Sequence, residues 1–69
     1  MLEIVFLVEH DVEGGFTARA WSHSIFTDAD TFEALKESVR DAVRCHFDDI
    51  TTRPKVIRLH WIREEVIAA

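Results

Sequence analysis

Residues 30–50 read DTFEALKESVRDAVRCHFDDI, and this stretch decides the fold. Leu35, Val39, Ala42, Val43, His46, Phe47 and Ile50 recur at three- and four-residue steps, which predicts one buried stripe along an amphipathic helix. Lys36, Glu37, Arg40, Asp41, Arg44 and Asp48 fall on the opposite side. Asp30 suits an N-cap, with Glu33 three residues on to reach back to the cap's backbone N–H. Glu37–Arg40 and Arg44–Asp48 have ion-pair spacing. The helix is expected to end near Asp49–Thr51, ahead of Pro54, which cannot continue it.

Upstream of the helix lie three short segments of strand character. From Leu2 to His10, Ile4, Phe6 and Val8 point to one side while Glu3, Val5, Leu7 and Glu9 point to the other. One side is wholly apolar, and so is the middle of the other, the pattern of a strand covered on both faces. Asp11–Gly15 reads as a turn, since paired glycines supply the positive φ of a hairpin connection. Phe16, Ala18 and Ala20 then alternate with Thr17, Arg19 and Trp21, and Ser24–Thr27 reads as a brief third strand. Neither connection is long enough for a parallel crossover, so the three strands form an antiparallel meander.

Downstream, Lys55–Arg63 reads as a strand, with Ile57, Leu59 and Trp61 set against Val56, Arg58, His60 and Ile62. The remaining residues, Glu64–Ala69, extend it or fray. The expected fold is therefore α+β, in the order β-β-β-α-β: a three-strand meander, one amphipathic helix on the sheet, and a C-terminal strand. A single domain spans residues 1–69. One helix covers one sheet face, so a second copy of the chain is the expected cover for the other. A chain this small also gains most from such a staple.

Composition narrows the function. The net charge of −5, without any basic run, argues against nonspecific binding to DNA or RNA. Arg40, Arg44, Arg58 and Arg63 are the residues that could still gather into a local basic patch. Cys45 is the only cysteine, which rules out an internal disulfide and suits a cytoplasmic setting. The apolar run that opens the chain is too short to span a membrane and has no basic residues ahead of it.

His10, His23, His46 and His60 lack the local spacing of a zinc motif. Cys45 and His46 lie about 100° apart on a helix and have no oxyanion site nearby. Glu3, Glu9, Asp11 and Asp41 do not read as the convergent carboxylates of a two-metal nuclease. No catalytic residue, cofactor or metal site is expected. His10 and His60 sit on strands, where titration near neutral pH could act on an interface. Tryptophan brings large contact area at little entropic cost. Core packing is expected of Trp61, and Trp21 is balanced between core and interface.

The stretches Gly14–Ala20, Ser24–Thr31, Phe32–Leu35 and Val39–Val43 together resemble the N-terminal module of HicB-like antitoxins. In that family a Gly-Gly-aromatic strand precedes a short strand, a Thr-led turn and an acidic helix. The resemblance covers roughly residues 3–50 and implies a partial, degenerate ribonuclease-H-like fold without nuclease activity. It also implies homo-oligomers and a HicA-type ribonuclease toxin as partner, masked sterically by an acidic surface. The family's C-terminal DNA-binding region has no counterpart in this sequence, so direct DNA binding is not expected. Nor does Trp21-Ser22-His23-Ser24 match the family's usual turn before the short strand. The expected interface comprises Val5, Leu7, Thr17, Arg19, Trp21 and His60. A stand-alone oligomeric adaptor with another partner is the alternative.

Overall fold

A computed structural model describes residues 2–69; Met1, the first residue of the expected domain, lies outside the described residues. Four strands and one helix follow the expected order: β1 (Glu3–His10), β2 (Phe16–Ala20), β3 (Phe26–Ala29), α1 (Phe32–His46) and β4 (Val56–Trp61). They build one α+β sheet in the order β3-β2-β1-β4. β2 lies antiparallel to β1 and to β3, whereas β4 runs parallel to β1. A parallel neighbour needs a crossover, and α1 with the loop behind it supplies one.

The alternation along β1 sets the core. Ile4, Phe6 and Val8 are buried on the helix side. They meet Ala18 and Ala20 of β2, Ile25, and the helix stripe Leu35, Val39 and Val43. Small alanines on β2 let α1 approach closely there, and the helix lies mainly over β3 and β2. Around the hairpin, Gly14 and Gly15 hold φ of 99° and 86°. The Asp11 side chain accepts from the Glu13 N–H at 3.0 Å, and Gly15 accepts from the Asp11 N–H at 3.0 Å.

Several boundaries move from their expected places. Thr31, not Asp30, caps the helix: extended at φ −128°, it accepts from the Ala34 N–H at 3.1 Å. The helix stops at His46, and its last N–H bond runs from Phe47 to Val43 at 2.9 Å. Asp48 and Asp49 stand where the helix dipole disfavours negative charge, and Asp49 instead organises the next turn. Its carboxylate accepts from the Thr51 hydroxyl at 2.7 Å and from the Thr51 N–H at 2.9 Å. Those two bonds, and to a lesser degree Arg53, hold the Asp49 carboxyl below its ordinary value against the opposing effect of desolvation.

The early stop leaves Ile50 exposed rather than on the buried stripe, His46 is exposed at the helix's last position, and Arg44 pairs with Asp41 at 2.9 Å instead of with Asp48. The expected Glu37–Arg40 pair forms. The third strand begins at Phe26 rather than Ser24, because Ile25 closes a turn: its carbonyl accepts from the Ala20 N–H at 2.9 Å. Residues 62–69 neither prolong β4 nor fold back, and all are exposed. They draw the molecule out to 52 × 20 × 18 Å, with a radius of gyration of 13.5 Å. A compact chain of this length would have about 11 Å. No helix among the described residues is long and apolar enough to cross a membrane.

Candidate protein-binding face

The odd-numbered side chains of β1 point away from α1, onto a sheet face that nothing among the described residues covers. Paired strand residues point to the same side, so the register orders this face into rows. Phe26, Arg19, Leu7 and His60 form one row across all four strands. Trp21 lies one residue past β2 and donates its N–H to the Val5 carbonyl at 2.9 Å, which continues the register and sets Trp21, Val5 and Arg58 in the next row. Thr17 stands between Asp28 and Glu9 in a third.

All six residues expected at an interface therefore share one face. Val5, Leu7 and Thr17 are half-buried by their neighbours, Arg19 and His60 are exposed, and Trp21 is 72% exposed. Phe26, 59% exposed, and Val56 enlarge the apolar area. Phe26 escaped sequence reading because its strand is too short to show a period; Val56 falls on the side of His60 in the sequence pattern but joins this face only through the β1–β4 register. Arg58 lies on this face too and pairs with Glu3.

Trp61 takes the other side of the sheet, as expected, but only in part. It stays 42% exposed while stacking on Phe32 at 5.1 Å and meeting Phe16 edge-on at 5.4 Å. His10 stacks on Phe16 at 4.4 Å, and so lies on the helix side, opposite His60. His23, His46 and Phe47 form a second aromatic group beyond the core, with the two imidazoles 5.7 Å apart. Cys45 is exposed, and among the described residues no group of three or more His, Cys, Asp or Glu converges as a metal site would require.

The arginines divide differently from the expected patch. Arg58 is on the open face, and Arg63 pairs within the tail with Glu65 at 3.4 Å. Arg40 and Arg44 instead join Lys36, Arg53 and Lys55 around an open groove of about 490 Å³ between α1 and β4. Val39, Val43, Ile57 and Leu59 form its apolar floor. Sequence reading missed this groove, although Lys36, Arg40 and Arg44 recur at four-residue steps and so share one helix edge.

Two relatives are similar over most of the chain. A UPF0150 protein of Archaeoglobus fulgidus is 55% identical over 53 residues, 77% of each chain. A UPF0150 protein of Thermotoga maritima is 39% identical over 66 residues, 96% of this chain and 91% of the relative. No family model and no solved structure matches the chain. With relatives at this identity over three quarters or more of its length, the chain belongs to the UPF0150 family.

Proposed function

We propose that this chain is a non-catalytic, HicB-like antitoxin domain of the cytoplasm that masks a small HicA-type ribonuclease toxin with its open sheet face. The observation that carries the reading is that face itself: a central strand with apolar residues on both sides, only one of which the described residues cover. Val5, Leu7, Trp21 and Phe26 offer the apolar area, Arg19 stands between Leu7 and Phe26, Arg58 pairs with Glu3, and Glu9 and Asp28 flank Thr17. Exposed aromatic residues with arginine among them are the composition enriched at protein interfaces, and Trp21 and Phe26 would be the anchors. Glu9 and Asp28, which form no ion pair among the described residues, would draw a basic, RNA-binding protein to their end of the face. The β-β-β-α-β order agrees with the resemblance to HicB-like modules. Homo-oligomers in which a second copy covers this face while no toxin is bound belong to the proposal.

The test is co-expression with a HicA-type toxin. The parent chain should co-purify with the toxin in stoichiometric amount and restore growth, and Leu7→Asp, folded by circular dichroism, should do neither. A parent chain that leaves toxin activity untouched overturns the antitoxin reading. If that chain also self-associates through this face, it acts as a stand-alone adaptor.

A further inference from the structure

We propose that the groove between α1 and β4 receives residues 62–69 of a second copy of this chain. The groove's charge is the first argument. In a chain of net charge −5, its lining carries five cations and no carboxylate. Lys36, Arg40 and Arg44 are each held by an acid three residues earlier on the helix, Glu33, Glu37 and Asp41. Such exposed helix pairs are weak and exchange readily for a better-placed carboxylate. Lys55 forms no ion pair among the described residues, and the Arg53 Nε–H is spent on the Phe47 carbonyl at 2.9 Å.

The arm has the matching chemistry. Glu64 and Glu65 are followed directly by Val66 and Ile67, which are 96% and 85% exposed. Two acids beside two branched apolar residues complement a basic rim above an apolar floor. β4 is also an edge strand, so an extended arm laid beside it would gain backbone hydrogen bonds as well.

The arm's own groove is the less accessible one. To return along β4, the chain would have to reverse within Trp61-Ile62-Arg63-Glu64. Tight hairpin turns require positive φ, which Gly, Asn or Asp supply. None of these residues occurs there, and the arm runs straight out from the molecule. A second copy meets the same groove with no reversal, and symmetry lets each chain hold the other's arm. This surface lies on the opposite side of the sheet from the proposed antitoxin face, and the inference does not depend on that function.

Charge reversal in full-length chains tests it by sedimentation equilibrium. One variant carries Glu64→Lys and Glu65→Lys; the other carries Arg40→Glu, Arg44→Glu and Lys55→Glu, which turns the groove's lining net negative. Each alone should self-associate at least about tenfold more weakly than the parent, since like charges then face each other. An equimolar mixture of the two should regain the parent's association, because both arms again meet grooves of opposite charge. The proposal is overturned by a parent that stays monomeric at every concentration, by an arm variant that associates as well as the parent, or by a mixture of two folded variants no tighter than its parts. The arm variant alters only exposed residues, so its result decides even if the groove variant fails to fold.

Discussion

Trp21→Ala separates folding from assembly. The ring is 72% exposed, so about a quarter of it is buried within one chain. A tryptophan side chain offers about 150–250 Å² of surface, worth about 4–6 kcal/mol if all of it were removed from water at about 25 cal/mol per Å². The share already buried corresponds to about 1 kcal/mol, which in a domain this small lowers the melting temperature by about 4–8 °C. The remaining area contributes only when another surface covers it. Truncating a central interface aromatic costs about 2–4 kcal/mol, roughly 30- to 1,000-fold in dissociation constant. Sedimentation equilibrium over a dilution series reads the association. Thermal melts at the lowest concentration, where mass action no longer raises the apparent stability, read the folding. A melting point lowered by far more than 8 °C at unchanged association would refute the placement of Trp21 on a binding face.

Three further outcomes follow from local geometry. Thr31→Ala removes the acceptor of the Ala34 N–H and should cost about 1 kcal/mol in urea denaturation, whereas Asp30→Ala should cost less than half as much. Gly15→Ala should destabilise more than Gly14→Ala: both positions have positive φ, but a Cβ at Gly15 would also meet the Ala29 carbonyl oxygen at 3.3 Å. Carboxyl NMR titration should find the Asp49 pKa below its ordinary value, and Thr51→Ala should raise it. Because the folded-state value is the lower one, the carboxylate's contribution is present above the unfolded-state pKa and disappears as pH falls through the folded one.

Periodicity made most of the architecture legible. The two-residue alternation of Ile4, Phe6 and Val8 against Val5 and Leu7, and the helical spacing of Leu35, Val39 and Val43, assigned those side chains to faces that the structure confirms. The ends were harder to read because they rest on competition between single bonds. Asp30 and Thr31 are both good caps, and nothing local says that the threonine hydroxyl is the one aimed at Ala34. Ile50 keeps the apolar spacing past the point where the helix actually ends. There the signal was Asp48-Asp49, a pair of acids at the negative end of the dipole. Of the open face, the part built by β1 and β2 was visible, and the part supplied by Phe26 and Val56 depended on register. The basic groove depended on tertiary placement, since Arg53 and Lys55 reach the helix row only through the loop that ends in Pro54.

The parallel pairing of β1 with β4 also bears on how the molecule folds. Glu3 through Val8 meet Val56 through Trp61, partners 53 residues apart in the chain. The hairpins β1-β2 and β2-β3 can close early and locally, but this ladder must wait for the last strand and bear the entropy of a loop most of the chain long. Until then the most apolar strand has one unpaired edge during synthesis, the condition in which nascent chains aggregate. Substitutions in β4 should therefore alter the refolding rate more than substitutions in β3, even where the two cost the same stability.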